Sequence, residues 1–181
     1  MLPPMDPKIN LIKVESPINW DEYFMFQAIL ASYRSKDPST KVGAVFVDRN
    51  QHQISMGYNG FVAGIDESKL PWGKEPGVGL EHQKYGYVVH AEANAILHAH
   101  GDLSGSKLYV THFPCNECAK LVASKKIGEV IYLSDKHHQL EMNRIAKRIF
   151  DLIGLKYRQL SLEEGLVDNL HRHFIASIRD R

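Results

Sequence analysis

The segment from His90 to Cys118 constrains this chain more than any other. It opens with His90-Ala91-Glu92 and closes with Pro114-Cys115-Asn116-Glu117-Cys118. Two cysteines flanking a pair of residues, with one histidine upstream, are three ligands of the kind zinc prefers. A catalytic zinc takes three protein ligands and keeps its remaining position for water. Glu92 lies two positions past the histidine, placed to exchange protons with that water without binding metal. Any fold this chain adopts has to bring the two segments together.

Length and charge fit a single soluble domain. At 181 residues the chain can bury one sizeable core, and 22 basic residues against 21 acidic ones leave almost no net charge. With no long basic tract, the sequence gives no reason to expect a nucleic-acid backbone as partner. Cys115 and Cys118 are the only cysteines, so a secreted disulfide framework is not the expectation. The first 17 residues hold four prolines and no sustained apolar run, which argues against a signal peptide or a membrane span. The expected location is cytoplasmic.

Residues 1–17 read as an extended lead-in. Asn19 then suits a helix N-cap, with Asp21 and Glu22 in the first turn. Tyr23, Phe24, Phe26, Ile29, Leu30 and Tyr33 form a helical apolar stripe expected to face the core, and Lys36-Asp37-Pro38 stops it. Residues 42–47 and 53–58 read as a hairpin turning at 48–51. Gly57-Tyr58-Asn59-Gly60 reads as a turn, and 61–88 as a long irregular loop of the functional or mobile kind. Helices are expected at 90–100, 115–125 and 139–153, the last with Leu140, Ile145, Ile149, Leu152 and Ile153 on one face and Gly154 as its stop. Strands are expected at 108–111, 130–133 and 156–160. Ser161 and Glu164 fit a capping box opening a C-terminal helix over 161–181 that packs on the same domain. The second half alternates strand and helix, which favours parallel pairing, whereas the first two strands favour a hairpin. The fold class is therefore α/β: a mixed sheet flanked by helices, without repeats and without a linker to a second domain.

Both ligand groups fall where helices begin. The partial positive charge of a helix N-terminus favours thiolate over thiol, and metal binding completes the deprotonation. Two other readings of the cysteine pair remain. A redox pair is one, although the Gly-Pro centre of the thioredoxin type is missing between Cys115 and Cys118. A structural zinc with His112 as further ligand is the other, but it leaves Glu92 without a role. The remaining histidines (52, 82, 98, 100, 137, 138, 171, 173) are by default surface or packing residues.

Over roughly residues 18–160 the chain resembles the deoxycytidylate deaminases of the cytidine deaminase superfamily. The resemblance rests on Trp20-Asp21-Glu22-Tyr23-Phe24-Met25, Arg34-Ser35-Lys36-Asp37-Pro38, Val42-Gly43-Ala44, Gly57-Tyr58-Asn59-Gly60 and Leu70-Pro71-Trp72. It extends through His90-Ala91-Glu92, Phe113-Pro114-Cys115-Asn116-Glu117-Cys118-Ala119-Lys120 and Ser134-Asp135-Lys136. It implies a three-layer α/β/α domain with a mixed five-stranded sheet. The implied reaction is hydrolysis of dCMP to dUMP and ammonia, supplying dUMP for thymidylate synthesis. His90, Cys115 and Cys118 would hold one Zn²⁺ and Glu92 would shuttle protons. The Ala91 N–H would face the base, while Asn59, Arg34 and Lys36 would contact sugar, phosphate or an effector nucleotide. The resemblance also implies a homo-hexamer regulated by dCTP and dTTP, with Mg²⁺ accompanying the triphosphate. His137 stands where the family commonly has a phosphate-associated tyrosine, and with both cysteines used no second cysteine-based zinc site is expected. A deaminase of a related nucleobase, nucleoside or nucleotide is the alternative enzyme. A non-catalytic zinc-stabilised nucleotide-binding regulator is the alternative of another class, and ammonia release separates it from both.

Overall fold

The computed structural model describes residues 18–166 together with Asp168, Arg172, Ile175 and Ile178. The expected N-terminal segment 1–17 and most of the expected C-terminal helix lie outside the described residues. Residues 161–163 are irregular and Glu164 and Gly165 form a turn, so the helix does not open at Ser161, while Leu166, Asp168, Arg172, Ile175 and Ile178 are helical.

Helix α1 spans Trp20–Ser32 and starts at the expected cap. The Asn19 side chain accepts the Glu22 amide at 2.9 Å, and the Glu22 carboxylate accepts the Asn19 amide at 3.3 Å. The helix ends at Tyr33, short of the proline. Strands β1 (Gly43–Val47) and β2 (Gln53–Tyr58) form the expected hairpin, its turn held by Asp48, which accepts the amides of Asn50 and His52 at 2.8 Å each. The long irregular stretch is stapled at its base by two-residue strands, β3 (Gly60–Phe61) and β4 (Val88–Val89), paired antiparallel. Then follow α2 (Ala91–Leu97), β5 (Lys107–His112), α3 (Asn116–Ser124), β6 (Glu129–Ser134), α4 (Glu141–Ile153) and β7 (Lys156–Gln159). Gly154 ends α4 at φ 68°, the left-handed conformation that glycine adopts without a Cβ penalty.

The main sheet runs β2-β1-β5-β6-β7. β1 is antiparallel to both neighbours, while β5, β6 and β7 are mutually parallel. Alternation along β1 sends Val45 and Val47 to one face, where they pack with Phe24, Met25 and Ala28 of α1 and with Tyr109 and Ile131. Ala44 and Phe46 point to the other face, against Ala91 and Ala95 of α2, Ala119 and Val122 of α3, and Ala146 and Phe150 of α4. Helices thus cover both faces, which makes the three-layer α/β/α domain and explains why β1 is apolar at every position. A polar tie crosses the α1 face: Tyr109 donates to Asp21 at 2.8 Å, and Arg158 bridges Asp21 and Glu129.

The apolar stripes do not all face inward. On α1, Leu30 and Tyr33 are 71% and 72% exposed and Tyr23 is also exposed; the residues actually buried are Phe24, Met25, Ala28, Ala31 and Ser32. On α4 the buried positions are Asn143, Ala146 and Phe150, whereas Leu140, Ile145, Leu152 and Ile153 are exposed. The inward faces combine large side chains (Phe24, Met25, Phe150) with alanines that let the helices approach closely, and several large apolar residues are left outside. No helix among the described residues is long and apolar enough to cross a membrane.

Candidate active site

Helices α2 and α3 begin side by side on the same face of the sheet, and each begins with a proposed ligand. His90 is the N-cap of α2 and Cys115 the N-cap of α3, both with extended backbone, and neither side chain makes a capping hydrogen bond. The two N-cap side chains turn toward each other. Cys118, in the first turn of α3, is buried beside them. The His90 Nδ1 lies 3.4 Å from the sulfur of Cys115 and 3.4 Å from that of Cys118. All three ligand atoms fall within 4.8 Å of one another. Zn–N bonds of about 2.0–2.1 Å and Zn–S bonds of about 2.3 Å at tetrahedral angles put nitrogen and sulfur about 3.5 Å apart. The donor set fits zinc, and both nitrogen–sulfur distances match that spacing.

The three side chains hold protons between them in unequal measure. The hydrogen bond with Cys115 raises the His90 imidazole to about 9. The Cys118 thiol and the His90 ring together draw Cys115 down to about 4 against the opposing effect of burial. Cys118 is pushed up by the bond it gives Cys115 and by its own burial. Ligation of a metal by all three therefore requires loss of the imidazolium and Cys118 protons, a coupling common to such sites. Glu92, one position into α2, is 4% exposed, and burial pushes its carboxyl above the ordinary range.

Gly57 fixes the position of α2. A Cβ there would sit 2.4 Å from the Ala91 carbonyl oxygen and 2.4 Å from the Ala95 nitrogen, so only a glycine in β2 allows this helix to dock. Asn94 reinforces the contact by donating to the Tyr58 carbonyl at 2.8 Å.

A cavity of about 230 Å³ opens onto His90, Ala91, Glu92 and Cys115. Asn59 and His137 line it. Asn59 has its amide committed internally: its nitrogen donates to Asp37 at 3.2 Å and to the Thr40 carbonyl at 3.0 Å, and its oxygen accepts the Val42 amide at 2.8 Å. Arg34 and Lys36 are exposed and do not line the cavity; Lys36 pairs with Glu67 at 2.8 Å. His112 lines the cavity but is not one of the three clustered ligands. Its ring meets the Thr111 hydroxyl at 3.1 Å, and burial, with Lys136 and His137 nearby, lowers it to about 4. Burial together with Lys136 and Lys74 also lowers His137.

Sequence reasoning missed Lys74, Lys84, Tyr85 and Asp37, all of which line the cavity. Lys84 and Asp37 form a buried ion pair at 2.6 Å. Burial outweighed by the Lys84 bond and the Ser39 and Thr40 amides leaves the Asp37 carboxyl below its usual range. Nothing periodic marks these residues; the position of Asp37 just before Pro38 is the only local signal.

The comparison with known proteins agrees with this geometry. The family model for the cytidine and deoxycytidylate deaminase zinc-binding region matches residues 18–134. A probable deoxycytidylate deaminase of Drosophila melanogaster is 46% identical over 147 residues, covering 78% of this chain and 72% of that one. The deoxycytidylate deaminase of Mus musculus is 42% identical over 154 residues, covering 84% of this chain and 86% of its own length. Among solved structures, the dCMP deaminase of cyanophage S-TIM5 in complex with dCMP and dUMP superposes with a TM-score of 0.62 at 24% identity, over 86% of this chain and 99% of that one, a likeness of fold. From the matched region, which includes His90, Glu92, Cys115 and Cys118, this chain belongs to the cytidine and deoxycytidylate deaminase family.

Proposed function

We propose that the protein hydrolyses dCMP to dUMP and ammonia, with zinc held by His90, Cys115 and Cys118 and with Glu92 as the proton carrier. The observation that carries this reading is the meeting of one histidine and two cysteines with a buried carboxyl at the wall of a cavity of about 230 Å³, in a chain whose relatives are deoxycytidylate deaminases. Zinc in such a site acts as a Lewis acid that makes water nucleophilic near neutral pH. Glu92 does the proton work. It takes a proton from the attacking water and gives it to N3 of the cytosine as C4 becomes tetrahedral. It then carries the second proton to the amino group, which leaves C4 as ammonia while the carbonyl of dUMP forms. Ala91 lines the cavity beside Glu92, and its N–H would orient the base.

The phosphate end is assigned to the side lined by Lys74 and His137, with Lys136 close by through its 3.5 Å approach to Thr40. Arg34 and Lys36 reach a substrate only by moving, or serve an effector nucleotide. Activation by dCTP, inhibition by dTTP, Mg²⁺ carried with the triphosphate, a homo-hexamer and a cytoplasmic location complete the reading. The exposed apolar residues of α1 and α4 support self-association. The experiment is direct: purified protein is offered a panel of cytosine and adenine nucleosides and nucleotides, with and without dCTP or dTTP, and ammonia is measured. Preference for dCMP is the expected result. Ammonia from another substrate in preference overturns the substrate assignment, and none from any substrate overturns the enzymatic reading.

A further inference from the structure

The stretch 62–87 contributes Lys74, Lys84 and Tyr85 to the cavity wall but contains no strand or α-helix, only three short 3₁₀ turns. A single residue in it is buried, and that residue is a lysine. The Lys84 ammonium donates to both oxygens of Asp37, at 2.6 and 2.8 Å, across 47 positions of sequence. Asp37 is 2% exposed and sits on the connection between α1 and β1. Its carboxylate also accepts the Ser39 amide at 2.7 Å, the Thr40 amide at 3.1 Å and the Asn59 side chain. A lone ammonium is strongly disfavoured in such a place, so Lys84 is buried only where Asp37 meets it. Unlike an apolar anchor, this one has a single acceptable partner and therefore a single register. The Lys84 amide donates in turn to the Gly73 carbonyl at 2.9 Å, which transmits the anchor's position to Lys74. The half-buried strands β3 and β4 close the ends of the loop, Phe61 of β3 meets Trp72 at 4.1 Å between ring centroids, and Lys36 pairs with Glu67 at 2.8 Å on the surface, but Lys84 is the loop's one buried attachment.

We propose that the Asp37–Lys84 pair is the clasp that fixes residues 62–87 as a wall of the cavity, making Lys84 a positioning residue for substrate binding. The part that concerns substrate rests on the deaminase reading above. Two variants of the zinc-loaded full chain test it: Lys84→Ala, and Asp37→Asn/Lys84→Ala, which leaves no buried charge unpaired and so remains folded if the single variant does not. In the double variant, backbone amide exchange across 62–87 should accelerate by about tenfold or more while α2 and the central strands keep their protection. The KM for dCMP should rise between about tenfold and a hundredfold, the scale of lost positioning, with a much smaller change in kcat and unchanged zinc content. Lys84→Arg, which keeps the charge pair, should return KM toward the wild-type value. Wild-type exchange and wild-type KM in the folded double variant overturn the proposal, as does a fall in zinc content and kcat that accompanies any rise in KM. If the wild-type protein releases no ammonia from dCMP, the functional reading fails while amide exchange still decides whether the clasp exists.

Discussion

Replacing Gly57 by alanine should damage the active site from the far side of α2. The added methyl would meet the Ala91 oxygen and the Ala95 nitrogen at 2.4 Å, against 3.4 Å where ordinary contact begins, so α2 must retreat from β2 by about 1 Å. Both obstructing atoms belong to the helix backbone, and no side-chain rotation can relieve them. Overpacking of this kind costs about 1–3 kcal/mol. In a domain of this size that corresponds to a Tm lower by about 2–12 °C. The helix carries Glu92 in its first turn and His90 at its cap, while Cys115 and Cys118 stay with α3. A displacement near 1 Å at a reacting group costs about 10²-fold in rate, so kcat should fall far more than the loss of stability alone explains. Gly43→Ala is the control. Its methyl would lie 1.9 Å from the Ala28 oxygen of α1, on the opposite face of the sheet. It should cost more stability and, in the fraction that stays folded, less kcat. Melting curves, elemental zinc and single-turnover rates on both variants decide the matter. Equal loss of rate per degree of Tm in the two, or wild-type kcat in Gly57→Ala, would refute the reasoning.

Other outcomes follow from the same geometry. Glu92→Gln should keep its zinc, measured by elemental analysis, and lose about 10²–10⁴-fold or more in kcat, because an amide cannot carry the protons; turnover within about tenfold of wild type removes Glu92 from the chemistry. Cys115→Ala should lose most of its zinc and its activity together, and a strong chelator should do the same to the wild-type protein. Asp21 gives an acid-stability signature: burial works against its ionised form, but the Tyr109 and Arg158 bonds outweigh it and hold its carboxyl below 3.8. Its contribution is therefore present above that pH and lost as pH falls through the folded value, so Asp21→Asn should flatten the dependence of Tm on pH in that acid range. His137 donates as a cation only when protonated, and burial with Lys136 and Lys74 nearby makes that harder. Affinity for dCMP should weaken as pH rises through the His137 value in the complex, and His137→Tyr should flatten the KM profile while sparing kcat.

The ligand set and most of the elements were legible because they are encoded at short range. The Asn19–Glu22 capping box, the hairpin at 48–51 and the Gly154 stop each depend on a few neighbouring residues, and each stands where the sequence indicated. The spacing of His90, Cys115 and Cys118 foretold that they would cluster, as they do within 4.8 Å. The inward faces of α1 and α4 were not legible, since counting apolar carbon favours Leu30, Tyr33 and Leu152, whereas close approach to a sheet or a neighbouring helix favours alanine. Pattern alone also gave no reason for β1 to lie beside β5, the adjacency that fixes the strand order β2-β1-β5-β6-β7 beneath α2 and α3. The Asp37–Lys84 pair lay furthest from view. A lysine in an irregular loop looks like surface until the chain folds back across 47 residues to give it a buried carboxylate, and only tertiary structure can supply a partner at that distance.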